Sequence, residues 1–219
     1  MKTFTIGKRY TINDLNTATI LFKPVQRADV KILIIDNENF IYEEELRSRG
    51  FNIHCINDVQ NLELVNAYPI IISDIRGVGA SMKMDKEGAS LLRELRKKYP
   101  SKIFAAYSGS TFDTTYNAYL EGITIIMKGA QLDQWTDSLD LLIEKATNPV
   151  EKWKALRLFL LDKGIDLLEL SKLEHEYVNI VLNKDNDFSN FPSKSTQKGI
   201  NPELIKTIGS LAIDLAIKA

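Results

Sequence analysis

The sequence predicts an α/β fold: a doubly wound, five-stranded parallel sheet followed by a small all-helical C-terminal region. Three observations predict it. Short apolar runs rich in isoleucine recur between residues 31 and 127, as buried parallel strands do. Stretches of helical periodicity, closed by a glycine or proline, separate these runs. Beyond Asn148-Pro149 the β-type runs stop and apolar residues recur only at three- and four-residue spacing. Strand and helix alternating over short connections imply a parallel sheet covered on both faces.

Residues 1–29 read as an N-terminal arm or short hairpin. Thr3-Phe4-Thr5-Ile6 and the run 17–22 alternate weakly and favour β-branched residues, and Pro24 ends the second. Residues 30–148 form the main domain. Strand one is expected at 31–35, a helix at 40–49 stopped by Gly50, and strand two at 51–56. A weak helix at 59–66 precedes strand three, 70–73. A long loop, 75–86, leads to a helix at 87–98, with Leu91, Leu92 and Leu95 on one face and Tyr99-Pro100 ending it. Strand four is expected at 103–107, a helix at 114–120 closed by Gly122, strand five at 123–127 and a last helix at 132–146. Residues 149–219 form a helical interaction or dimerisation module. One helix, 150–163, carries Trp153, Leu156 and Leu160. A second, 166–182, carries Leu170, Leu173, Tyr177, Ile180 and Val181. A polar loop at 183–200 precedes a helix capped by Asn201-Pro202. Trp153 reads as a packing anchor between the two parts of the chain.

The totals narrow the function. The 219 residues allow one domain with an appendage, and a 44% apolar fraction is ordinary for a globular protein. A formal net charge of −1 gives no bulk attraction to nucleic acid or to an anionic membrane. Residues 149–219 hold ten basic and ten acidic residues, so no basic face for DNA is expected there. Cys55 is the single cysteine, so no internal disulfide forms; it reads as a small buried hydrophobe rather than a reactive thiol. No apolar stretch approaches the ~20 residues of a membrane span. The N-terminus lacks the apolar core of a signal peptide, and a reduced, cytoplasmic setting is expected. No P-loop, zinc spacing, Gly-rich nucleotide motif or nucleophile elbow occurs. His54 and His175 are isolated and read as structural.

The chemistry-bearing residues sit at strand ends. Ile70-Ile71-Ile72-Ser73 runs into Asp74, with Gly77 and Gly79 after it. The other runs end in Asp36, Ser108 and Lys128. In open α/β sheets, ligands bind outside the carboxyl ends of the strands, so two acids, a hydroxyl and an amine would share one edge. Each has a bland reading. Asp74 could cap the following turn, Asp36 could be a polar strand end, Lys128 a solvated surface lysine, and Ser108, beside Gly109 and Ser110, turn chemistry.

The ordered set Asp36, Asp74, Ser108 and Lys128 resembles the receiver domain of two-component response regulators, as do residues 87–96 and 118–122. The resemblance covers residues 30–148 and implies the flavodoxin-like, CheY-like receiver sheet. It implies Asp74 as phosphoacceptor, Ser108 contacting the phosphoryl group, and Lys128 pairing with its oxygens. It implies Mg²⁺ as cofactor, held by Asp36 and Asp74, with Asn37 and Glu38 as weaker ligands. Asn37 stands where the family has a second acid, Gly129 where it has proline, and Ile125 where strand five commonly has an aromatic. The expected function is therefore that of a response regulator rather than a conventional enzyme. Phosphoryl uptake on Asp74 from a histidine kinase or phosphotransfer protein would be relayed to a downstream protein partner through the helical part, as a monomer or a homodimer. The alternative is a pseudo-receiver, a phosphorylation-independent protein-interaction scaffold. A third reading, an unrelated flavodoxin-like ligand-binding enzyme, is permitted by the fold alone.

Overall fold

The computed structural model describes residues 9–18, 25–109 and 116–183. They fall into two compact units. Val25–Ala146 forms one; 9–18 and 147–183 belong to the other.

The first unit is built on five parallel strands: β1 Lys31–Ile35, β2 Asn52–Ile56, β3 Ile70–Asp74, β4 Ile103–Ser108 and β5 Thr124–Met127. Their order is β2-β1-β3-β4-β5. Strand β3 is buried at every position, which is why it reads as a continuous apolar run. Alternate side chains feed two cores. Ile32 and Ile34 pack with Trp135, Leu139, Leu142 and Ile143 of α5 (Leu132–Thr147) and Leu46 of α2 (Glu43–Ser48). Leu33, Ile35 and Ile71 pack with Ala89, Leu92 and Leu95 of α3 (Glu87–Lys98) and Leu120 of α4 (Asn117–Leu120). The sheet is thus doubly wound, as the strand–helix alternation predicts.

Boundaries differ where local geometry is tighter than the periodicity suggests. Helix α2 begins at Glu43 because a turn occupies 41–42. The weak helix expected at 59–66 is a 3₁₀ segment, Leu62–Ala67, with Asn61 Oδ1 accepting from Glu63 N at 2.7 Å. Of the helix expected at 114–120, residues 117–120 are helical and 110–115 lie outside the described residues.

The second unit contains α1 (Ile12–Ala18), α6 (Pro149–Asp162) and α7 (Leu167–Asn183). Of the arm or hairpin expected at 1–29, residues 12–18 are helical, so 17–18 do not start a strand, and they pack on α6 and α7 through Leu15. The expected strand at 3–6 and residues 19–24 lie outside the described residues, as do the polar loop and the last helix, beyond 183. Thr11 N donates to Asp14 Oδ2 at 2.8 Å, half of a capping box that fixes where α1 starts. Asn148 caps α6, accepting from Val150 N and Glu151 N, with Pro149 in the first turn. Trp153 lies within this unit's own core, stacked on Tyr177 at a centroid distance of 5.1 Å, with Leu156, Leu160, Leu170 and Leu173 around it. Among the described residues no helix is long and apolar enough to cross a membrane.

Candidate functional site

Parallel pairing aligns the carboxyl ends of the strands on one edge. Asp36 follows β1, Asp74 ends β3, Ser108 ends β4 and Lys128 follows β5. Register pairs Asp74 with Tyr107 and Ser108 with Met127. The chain winds one way from β1 to β2 and the other way from β3 to β5. Asp36 and Asp74 therefore flank the switch point where such sheets bind ligands.

Asp74 is 3% exposed and Asp36 6%. A buried carboxylate requires partners. Asp74 has two: Lys128 Nζ at 2.5 Å from Oδ2 and Arg76 N at 3.2 Å from Oδ1. Lys128 is held in turn, its backbone N–H donating to the Ser108 carbonyl at 2.7 Å. Burial pulls the Lys128 ammonium down, but its hydrogen bond to Asp74 and the charges of Asp74, Asp36 and Glu38 outweigh that, so its pKa is raised. It stays cationic. Asp36 Oδ1 accepts from Glu38 N at 2.9 Å. Ser108 is half-buried at the strand end.

Asn37 and Glu38 are exposed. Gly77, at φ +75°, lies against Asn37, and a Cβ there would fall 2.5 Å from Asn37 Oδ1. The Asn37 amide is thus wedged against the loop that leaves Asp74. Gly88 brings α3 up to the end of β3. Its N–H donates to the Ile75 carbonyl at 3.1 Å, and a Cβ on it would stand 1.9 Å from the Asp74 carbonyl oxygen. Asp58 ties down the same loop, accepting from Gly79 N at 2.6 Å and Ser81 N at 2.9 Å.

Tyr107 is a site neighbour that apolar periodicity conceals. Its ring is 3% exposed and packs edge-on against Phe40 and Trp135. The Lys128 ammonium lies 5.3 Å from its centroid. Burial first, then Asp36 and Asp74, push its phenol far above the usual tyrosine value, so it is neutral. Asp36 is near enough for that effect, yet no acceptor meets hydrogen-bond geometry with the Tyr107 hydroxyl. Cys55 is half-buried, and burial together with Glu43 pushes its thiol up to about 12. That keeps it protonated and inert.

Two buried carboxylates facing one ammonium, with an orphaned hydroxyl beside them, suit a hard cation with oxygen ligands. Asp36, Asp74 and Glu38 do not gather into a three-ligand cluster among the described residues. A metal here would rest on Asp36 and Asp74 and keep several waters, which is how Mg²⁺ commonly binds.

Solved receiver domains resemble this chain. A response regulator receiver domain protein from Clostridium thermocellum is 23% identical at a TM-score of 0.42, over 53% of this chain and 95% of that one. The receiver domain of NtrX from Brucella abortus is 25% identical at 0.41, over 52% and 96%. The signal receiver domain of an HD domain-containing protein from Pseudomonas fluorescens Pf-5 is 19% identical at 0.45, over 57% and 93%. No family model and no curated protein matches the chain. The all-parallel order β2-β1-β3-β4-β5, wound on both faces, is the receiver-type sheet.

Proposed function

We propose that the protein is a response-regulator-like signalling protein that accepts a phosphoryl group on Asp74. The observation that carries this is the Asp74–Lys128 ion pair at the switch point, with Asp36 buried beside it. Asp74 is oriented as a nucleophile by Lys128 and Arg76 N. A carboxylate oxygen of Asp74 attacks phosphorus, the bond from phosphorus to the donor nitrogen or acyl oxygen breaks, and the donor keeps that electron pair. The donor would be a phosphohistidine of a kinase or phosphotransfer protein, or a small acyl phosphate. Lys128 then pairs with the phosphoryl oxygens and Ser108 contacts them. Asp36 and Asp74 would hold Mg²⁺, with Asn37 and Glu38 adding at most waters. The ion supplies neutralisation of the charge on the transferring group. Phosphorylation adds about −1.5 to −2 of charge where Lys128 reads it, which can bias a two-state element. The helical part would carry that change to a protein partner.

A second reading is favoured by Asn37, which lies against Gly77 where a second acid would strengthen the cation site. In that reading the protein is a phosphorylation-independent scaffold. Intact-mass spectrometry after incubation with acetyl phosphate and Mg²⁺ separates the two. A phosphoryl adduct in the parent and none in Asp74→Asn is the expected result. An adduct of equal yield in Asp74→Asn would sink the assignment, and no adduct in either, with a phosphohistidine donor also tried, favours the scaffold.

A further inference from the structure

Tyr107 holds a group that packing does not explain. Its ring contacts, edge-on to Phe40 at 6.1 Å and to Trp135 at 5.6 Å, would be met equally by phenylalanine. The hydroxyl adds nothing to them. It is buried with no hydrogen-bond partner, a state that in a native protein calls for a water or an ion to account for it. Tyr107 is paired in register with Asp74, its ring lies beside the Lys128 ammonium, and the charge of Asp36 acts on its phenol more strongly than that of Asp74. The one unsatisfied side-chain oxygen buried among the described residues is therefore at the candidate cation site. It is also at the site whose acid pair is incomplete, since Asn37 brings no charge.

We infer that the Tyr107 hydroxyl is a positioning residue for a hydrated divalent cation held by Asp36 and Asp74, donating to Asp36 and accepting from a cation-bound water. This rests on the cation-binding reading given above. A carboxylate at position 37 would ligate the ion or its waters directly; a neutral hydroxyl on the neighbouring strand instead orders the hydration shell that Mg²⁺ retains. No covalent step is involved.

The test is a calorimetric titration of Mg²⁺ alone into the full chain, its Tyr107→Phe variant and its Asp36→Ala variant. Tyr107→Phe should bind Mg²⁺ about 10-fold more weakly, at the low end of the loss seen when an outer-shell partner is removed. Its metal-free thermal midpoint should be unchanged or higher, because the hydroxyl is unpaired without the ion; a merely structural tyrosine would lower that midpoint and leave the affinity alone. Equal affinity in Tyr107→Phe with binding abolished in Asp36→Ala overturns the Tyr107 role and keeps the cation site. No binding in the parent overturns the cation site and the Tyr107 role with it. If Tyr107→Phe fails to fold, the parent labelled with ¹³C in its tyrosine rings decides between the outcomes. The tyrosine resonance in contact with Trp135 shifts on Mg²⁺ addition if the inference holds, and stays still if it does not.

Discussion

Asp58 shows how much of this site hangs on one carboxylate. It accepts from Gly79 N, Ser81 N and Val59 N, and so pins the loop that leaves Asp74. Burial pushes its pKa up, but the hydrogen bonds from Ser81, Gly79 and Val59 prevail, and the net shift is downward. A carboxylate with a folded pKa below its unfolded value of about 3.9 stabilises the fold above that value. The contribution fades as pH falls through the lower, folded value. Asp58→Asn should therefore cost about 1–2 kcal/mol at pH 7. That cost should shrink as pH falls below about 4, read from urea unfolding at each pH; a pH-independent difference would refute the account. Asp58 was not legible in the sequence, because the partners through which it pins the loop, Gly79 N and Ser81 N, are backbone groups more than twenty residues away. Asp36, Asp74, Ser108 and Lys128 were legible as residues ending apolar runs, and the structure places each at the same sheet edge. Tyr107 was legible only as strand: its contribution is a hydroxyl whose lack of a partner no pattern records.

At the scale of elements, the contact between the end of β3 and the start of α3 positions Asp74. Gly88 allows helix backbone to approach strand backbone more closely than any side chain would permit. Gly88→Ala sets a methyl 1.9 Å from the Asp74 carbonyl, and neither backbone can yield like a side-chain tip. We expect it to cost about 3 kcal/mol or more and to lower phosphoryl-adduct yield by moving Asp74. Chemical denaturation and the acetyl phosphate assay check this, and a fully stable, fully active variant would show that α3 can shift freely. Strands were the legible elements, since burial on both faces leaves an apolar run that survives any error of register. Short helices were not. Residues 62–67 wind as 3₁₀, and 41–42 make a turn before α2, where local hydrogen bonds outweigh the weak helical period. Residues 12–18 wind as a helix, where 17–18 were expected to begin a strand, because Leu15 is buried among α6 and α7, so packing overrides the poor helix propensity of Asn and Thr. The Thr11–Asp14 spacing was its one visible sign.

Across the whole molecule, residues 9–18, before the sheet, and 147–183, after it, belong to the same compact unit. No local pattern could announce this, because the pairings span more than 160 residues. Glu174 of α7 is their hub: Oε1 accepts from Ile12 N at 3.1 Å and Oε2 from Trp153 Nε1 at 2.8 Å. The adjacent His175 accepts from Tyr10 N through Nδ1 at 2.9 Å and stacks on the Tyr10 ring. One carboxylate thus joins the segment that precedes the sheet to the helix that follows it. Glu174→Ala would strand the Ile12 amide and the Trp153 indole N–H away from their acceptor. A hydrogen bond to a charged group contributes about 1.5–3 kcal/mol net, so opening of the N-terminal segment should become easier by about 2 kcal/mol. At that cost, amide exchange in a peptide covering 9–18 speeds up roughly 30-fold, since about 1.4 kcal/mol is tenfold. A peptide covering α3 serves as the control and should not change. If the 9–18 peptide exchanged at the parental rate, Leu15 packing and the Tyr10–His175 contacts would be what holds α1, and Glu174 would serve only the Trp153 side.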